Sequence, residues 1–261
     1  MTMLTPVRGT QAVYRINPVA KLAASAIISI ALVLSIDWVS ATVALGAEAI
    51  LLPFAGLTFA QFFRRTAAVW IAAVLGGVTI LLYGRPSGET YFQFLLIHIS
   101  DGSIELAIAT ILRVLAIALP AVVLFATVDP TDLADGFAQR LRLPARFVLG
   151  ALAGLRLVSL FADDWRSLEL SRRARGVADG GRVRRFFSQA FALLVLAIRR
   201  GSKLATAMEA RAFGAPGERS WARESRVGAA DAVLVLFAVG IAVASVTVSV
   251  VTGHWNFIGG Q

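Results

Sequence analysis

Cysteine is absent from this 261-residue chain, and histidine occurs only twice. Without cysteine the protein can form no disulfide, no thiolate metal site and no cysteine nucleophile. The two histidines, His98 and His254, lie too far apart in sequence to suggest a metal site through ligand spacing. Charged residues are also scarce, at 16%, whereas apolar residues make up 57% of the chain. Soluble domains have a more balanced composition, so we predict a polytopic membrane protein.

Motifs for catalysis are missing as well. Gly201-Ser202-Lys203 lacks the residue order and the upstream glycine of a phosphate-binding loop, so we expect no ATP hydrolysis by the chain itself. No Ser/His/Asp set or paired carboxylate stands out. Asp163 and Asp164 are adjacent, point to different sides of a helix and are interpreted as a solvated polar turn. We therefore predict a protein that is not an enzyme, with no catalytic residue, no cofactor and no metal ligand.

Long apolar runs occupy most of the chain. A helix needs about 20 apolar residues to cross a hydrocarbon core of about 30 Å. Five runs approach or exceed that length, and the predicted spans are 19–37, 39–58, 67–83, 105–128 and 229–252. The basic N terminus resembles a signal peptide, but a second apolar run follows at once, which favours a transmembrane hairpin over a cleaved leader. The predicted fold class is all-α.

Basic residues are distributed unevenly between the two sides of these spans. With the N terminus inside, 23 of the 25 Lys and Arg residues fall on the cytoplasmic side. Because positive residues stay in the cytoplasm, we predict a multi-pass protein of the cell membrane with an external C terminus. The regions are 1–128 with four spans, 129–227 in the cytoplasm, and 228–261 with the last span and a short tail. The net charge of +9 does not cover one soluble face, so nucleic-acid binding is not expected.

Two shorter apolar runs lie inside the cytoplasmic region. Phe147–Phe161 has 15 residues and Phe186–Ile198 has 13, which is short for a crossing. If both crossed, seven arginines between them would be outside. We predict instead two long helices that lie on the inner leaflet or dip into it and pack on each other.

The first long helix is predicted to end at Arg175, and Ser202 is predicted either to open a short helix or to continue the second one as far as Arg211. Both arginines stand before a helix stop. Arg175 precedes Gly176, and Arg211 precedes Ala212 and Gly214. One interpretation is that the arginines complement the helix dipole, an effect of about 0.3–1 kcal/mol, and bind anionic headgroups. The other is that a guanidinium at a helix tip enters a groove on a partner and pairs with carboxylates or carbonyls there.

The motifs around these tips have a known counterpart. Ala174-Arg175-Gly176 and, with one change, Ala210-Arg211-Ala212 match the two Ala-Arg-Gly motifs of the transmembrane T component of energy-coupling factor transporters. Further matching stretches are Asn17-Pro18-Val19-Ala20-Lys21-Leu22, residues 127–132 and residues 141–146. The chain thus resembles this component of ABC-type importers of vitamins and transition-metal ions over nearly its whole length.

The resemblance implies a scaffold with two kinds of protein partner besides the lipid bilayer. The helices ending at Arg175 and Arg211 are implied to be coupling helices that dock in grooves of two cytoplasmic ATPase subunits. Their apolar faces are implied to cradle a small membrane-embedded S component, which binds the substrate. Movement of the tips on ATP binding and hydrolysis would tilt the S component for release. Ala212 departs from the family's glycine, and its methyl group is expected to weaken a tight backbone approach.

Two further expectations concern the membrane spans and the competing functions. Glu48 and Arg113 lie at similar predicted depths in their spans, so we predict an intramembrane ion pair between them.

A conventional ABC importer permease is the alternative function, because Glu209 through Gly214 is similar to its coupling loop. That alternative predicts one coupling site per chain and a substrate path through this chain. An integral membrane enzyme is the remote alternative and needs a polar cluster that the sequence does not show.

Overall fold

A computed structural model describes residues 12–35, 37–51, 56–84, 87–94, 97–176, 181–214, 220–253 and 255. These residues are mostly helical, as predicted for an all-α membrane protein. The helices are α1 Pro18–Val33, α2 Trp38–Leu51, α3 Phe59–Tyr83, α4 Asp101–Ala126, α5 Pro130–Gln139, α6 Ala145–Ala174, α7 Arg182–Ala210 and α8 Ala229–Val251. The chain divides into two compact units, residues 1–133 with 226–261, and residues 134–225.

The first unit contains a helix over each of the five predicted spans. Helices α3, α4 and α8 are long and apolar enough to cross a membrane, while α1 and α2 are shorter apolar helices. Small side chains line the contacts between α1, α2, α4 and α8, and they include Ala24, Ala44, Ala116 and Ala238. Small residues allow close helix approach inside a bilayer, where dispersion replaces the hydrophobic effect as the driving force.

Glycine serves the same purpose between α3 and α4. A Cβ atom built on Gly77 would lie 2.4 Å from Cγ1 of Ile111, whereas one on the neighbouring Gly76 meets nothing within 4 Å. Nearby, Ala73 packs in a buried cluster with Leu115 and Leu119 of α4. The absence of a side chain at Gly77 therefore sets the distance between these two helices.

A buried polar junction ties the start of α1 to the end of α4 and the start of α8. Lys21 is 2% exposed, and its Nζ donates to Oγ1 of Thr127 at 2.7 Å and to its carbonyl oxygen at 3.3 Å. The side-chain oxygen of Asn17 caps α1 by accepting from Val19 N at 2.9 Å. The Asn17 backbone nitrogen donates to Oδ1 of Asp231 at 2.5 Å, and Gly228 N donates to its Oδ2 at 2.6 Å. Sequence motifs that matched the T component thus meet in one packed site.

A β-hairpin precedes α4 and was not predicted from the sequence. Strand β1 is Thr90–Phe94 and strand β2 is Ile97–Ser100, and they pair antiparallel with Phe92 opposite Ile99. The run is rich in aromatic and β-branched residues, which favour strands. Ser100 then caps α4 by accepting from Ser103 N. Helix α4 accordingly begins at Asp101, four residues earlier than predicted.

Candidate coupling site

Helices α6 and α7 dominate the second unit. Helix α6 has 30 residues and α7 has 29, so each is about 45 Å long at a rise of 1.5 Å per residue. By length and composition α6 also qualifies as a candidate membrane span. Helix α7 passes without a break through Ser202 and ends at Ala210. The two predicted long helices are therefore present, and their position on the inner leaflet stays a prediction.

Three polar links join α6 to α7. Arg200 donates to Asp164 through both terminal nitrogens, from Nη1 to Oδ2 and from Nη2 to Oδ1 at 2.9 Å. Arg185 pairs with Glu169 at 3.3 Å. Arg172 Nη2 donates to both the carbonyl oxygen and Oγ of Ser188. Two-pronged contacts between an arginine and a carboxylate resist rotation, so the links fix the two helices relative to each other.

The Asp164 contact corrects an expectation from the sequence. The Asp163–Asp164 pair was interpreted as a solvated polar turn, yet the Asp164 side chain is only 20% exposed and holds Arg200. Arg200 lies 36 positions further along the chain. Only the approach of α7 brings it to Asp164, and no local spacing signals that approach.

The first tip forms where α6 ends. Arg175 is the C-cap residue, with φ −89° and ψ 3°, and Gly176 follows in the left-handed region with φ 67°. The backbone N–H of Gly176 donates to the Arg173 carbonyl at 3.1 Å. A glycine in this conformation is a common way to end a helix, because it has no Cβ to clash with the backbone.

The second tip repeats this geometry without glycine. Arg211 is the C-cap residue of α7, with φ −95° and ψ 17°, and Ala212 follows with φ 54°. Ala212 N donates to the Glu209 carbonyl and Phe213 N to the Met208 carbonyl, each at 2.9 Å. These two bonds complete a Schellman motif. The alanine that departs from the family motif therefore occupies a conformation that favours glycine.

The two tip arginines differ from their neighbours in what they contact. Arg175 and Arg211 are exposed, and among the described residues neither side chain makes a hydrogen bond or an ion pair. Arg172, Arg173 and Arg200 are all engaged by partners on α6 or α7. Each tip thus presents an exposed arginine side chain that makes no hydrogen bond or ion pair within the part of the unit that the structure describes.

Replacing Ala212 with glycine is expected to stabilise the second tip. The left-handed conformation costs a residue with a Cβ about 1–2 kcal/mol, and glycine removes that cost. The reverse change, Gly176→Ala, should destabilise the first tip by a similar amount. We expect opposite shifts of the apparent melting temperature of the purified protein in detergent.

Gly201→Ala is the matched control for these two variants. Gly201 lies inside α7, and a Cβ there meets nothing within 4 Å. Alanine at that position should be neutral or stabilising by up to about 1 kcal/mol through helix propensity. A shift of the melting temperature in the same direction for Gly176→Ala and Gly201→Ala would contradict the claim that a Cβ at position 176 strains the first tip.

Both helices carry large apolar side chains on exposed faces. Trp165 of α6 packs its ring on Phe186 of α7 at a centroid distance of 5.6 Å, which covers only part of this surface. The exposed apolar residues of the pair are Phe147, Leu155, Val158, Leu160, Leu170, Val183, Phe186, Phe187, Phe191, Leu194, Val195 and Ile198. Apolar surface of this extent marks contact with lipid or with another protein.

The predicted ion pair between Glu48 and Arg113 is not formed. Glu48 is 3% exposed, and neither of its carboxylate oxygens has a hydrogen-bond partner among the described residues. Nη2 of Arg113 is also buried and has no hydrogen-bond partner among the described residues. Glu48 shares a cavity with Pro120 of α4, which lies seven residues, or about 10 Å, beyond Arg113 along that helix. Counting equal numbers of residues from the predicted span ends therefore did not place Glu48 beside Arg113, because the helices do not share a common starting level.

The structure describes neither histidine side chain. The side chain of His98 and all of His254 lie outside what the structure describes. In the rest of the chain that is described, no group of three or more His, Asp or Glu side chains is placed to hold a metal ion.

Comparison with known proteins gives the same family throughout. The sequence profile of a family described as "Cobalt transport protein", CbiQ, matches residues 9–221. Three curated relatives are named energy-coupling factor transporter transmembrane protein EcfT. The chain is 28% identical to the one from Limosilactobacillus fermentum, with 64% of this chain and 68% of the relative covered. It is 26% identical to the one from Bacillus selenitireducens over 90% and 93%, and 24% identical to the one from Brevibacillus brevis over 96% of each.

Proposed function

Because this chain belongs to the CbiQ family of transporter membrane components, we propose that it couples two cytoplasmic ATPase subunits to a membrane-embedded S component. The family assignment itself agrees with the resemblance to the T component found in the sequence. The relatives' names describe an energy-coupling factor transporter, and the particular roles of the residues are our inference from the geometry.

The observation that supports this proposal is the repeated tip. Two helices in one unit end with the same C-cap geometry, and each presents an exposed arginine without a partner in the described residues. An arginine so placed can pair with carboxylates or carbonyls of a groove at little cost, because no internal contact must break. A pair of such tips fits a pair of identical ATPase subunits. The links between α6 and α7 then transmit a change in the distance between the ATPases as a change in helix position.

The proposal also assigns the exposed apolar faces and the orientation. Phe187, Phe191 and Ile198 of α7 lie on surface that suits an apolar membrane partner, namely the S component. The N terminus and residues 129–227 are cytoplasmic, and the C terminus is external, in accord with the basic residues. The imported substrate, a vitamin or a transition-metal ion, is bound by the S component and not by this chain.

Co-purification with mass spectrometry of the intact complex tests this function. The chain, carrying an affinity tag, is co-expressed with the ATPase and S genes of its own genome. We expect one copy of this chain with two ATPase subunits and one S protein. Substrate uptake by this chain and the ATPases alone, without any S protein, would instead support the conventional permease.

A further inference from the structure

The helical bundle of the first unit contains a cavity of about 390 Å³ beside Glu48. Its walls come from Val13 and Ile16 before α1, from α1 and α8, and from the last turns of α2 and α4. Apart from Glu48 its lining is apolar, and representative residues are Ala24, Ile28, Val123, Leu234 and Ile241. An engineered cavity of about 150 Å³ holds one benzene, and ligand pockets start at about 300 Å³. The space is therefore large enough for a compact organic molecule.

Among the described residues, Glu48 is the only ionisable residue in this lining. Both of its oxygens are buried and lack a hydrogen-bond partner among the described residues. A carboxylate in an apolar membrane site is costly unless a cation or several donors face it. Neither Lys21 nor Arg113 lines this cavity, and Lys21 is already engaged by Thr127.

We propose that this cavity binds a hydrophobic amine, with its ammonium group on the Glu48 carboxylate and its hydrocarbon body on the apolar walls. An ammonium group carries three N–H donors and one positive charge, so it satisfies both oxygens at once. The hydrocarbon body displaces no polar contact of the protein. Three lining residues of α8, Ala230, Val233 and Phe237, are exposed, so the ligand enters past the start of that helix.

Equilibrium binding of tritium-labelled adamantylamine to the full chain in lipid nanodiscs tests this site. The nanodiscs contain phosphatidylglycerol, and counts from empty nanodiscs are subtracted. We expect saturable binding at one site, and Glu48→Gln should weaken it about thirtyfold or more, because a buried charge pair is lost. Adamantanol has the same cage without the charge, so it should not compete. Lack of saturable binding, equal binding by Glu48→Gln, or competition by the alcohol would each overturn the proposal.

A second variant keeps the carboxylate and blocks the entrance. Ala230→Trp adds bulk at an exposed lining position, so this variant should keep its core packing. It therefore tests the site even if Glu48→Gln fails to fold. We expect it to reduce adamantylamine binding about tenfold, whereas unchanged binding would overturn the site.

Nanodiscs with phosphatidylethanolamine distinguish the two sources of an ammonium group. Weaker adamantylamine binding there identifies the lipid headgroup as the occupant, and unchanged binding identifies a free amine.

Discussion

Replacing Arg175 with glutamate is expected to remove most ATPase recovery by this chain while its insertion in the membrane stays normal. The side chain is exposed and has no partner in the described residues, so its loss leaves α6 and its links to α7 intact. An arginine at the centre of an interface contributes about 2 kcal/mol or more, which corresponds to a loss of about thirtyfold in affinity. A glutamate also repels the acidic groups of the proposed groove. The measurement is the amount of ATPase that co-purifies with the tagged chain.

Arg166→Glu is the matched control for this variant. Arg166 is exposed on the same helix, nine residues before the tip, and the change in net charge is identical. We expect ATPase recovery close to that of the unaltered chain. Equal losses in both variants would indicate a general effect of net charge and not a contact at the tip.

Replacing Asp231 with alanine is expected to destabilise the membrane unit severely. Asp231 is 4% exposed and accepts from the backbone nitrogens of Asn17 and Gly228. Its charge also acts on the buried Lys21. Removing this carboxylate leaves two backbone donors without an acceptor, and each unsatisfied buried group costs about 1–3 kcal/mol. We expect a large fall in monodisperse yield and in apparent melting temperature after extraction in detergent.

Two further variants separate this junction from a general effect of helix capping. Asp101→Ala removes an acidic residue from the first turn of α4, but Asp101 is exposed, so we expect a loss of about 1 kcal/mol or less. Adding Lys21→Met to Asp231→Ala removes the buried cation on which the Asp231 charge acts and should recover part of the lost stability. Equal losses in Asp101→Ala and Asp231→Ala, or no recovery in the double variant, would contradict the assigned role of the junction.

The predictions that depended on apolar length agree best with the structure. Each predicted span lies on a helix, because about 20 consecutive apolar residues satisfy both the bilayer and the backbone. The boundaries were less accurate. Helix α3 begins at Phe59, well before the predicted residue 67, because a capping interaction between Thr58 and Gln61 starts it and Arg64 and Arg65 continue it. A span predicted from hydropathy leaves out the turn that contains Arg64 and Arg65, although an α-helix accommodates these charged residues.

The hairpin was missed for a related reason. The segment from Thr90 to Ser100 was left without a predicted element, although its Tyr91 and Phe92 and its β-branched Ile97 and Ile99 are typical of strands. Counting apolar residues against a membrane length does not distinguish a short strand from a loop. Attention to β-branched and aromatic enrichment between two spans would have found it.

Contacts between distant residues were the least predictable feature. The Arg200–Asp164 link depends on how α7 crosses α6, and the expected Glu48–Arg113 pair is absent, with both carboxylate oxygens of Glu48 and Nη2 of Arg113 lacking a hydrogen-bond partner among the described residues. Neither outcome can be calculated from spacing within one helix. The ends of α6 and α7 were different, because an arginine followed by a helix-stopping residue is a local signal. The sequence accordingly placed both tips, but it did not reveal that Ala212 adopts a left-handed conformation.

ATPase recovery by the double variant Arg175→Glu with Arg211→Glu is the most direct measurement of the proposed coupling function. Both changes lie at exposed positions without partners in the described residues, so the chain should still fold and enter the membrane. The proposal predicts that the purified variant carries essentially no ATPase while its yield in the membrane fraction matches the unaltered chain. Normal ATPase recovery by the double variant would contradict the assignment of the two tips as the coupling site.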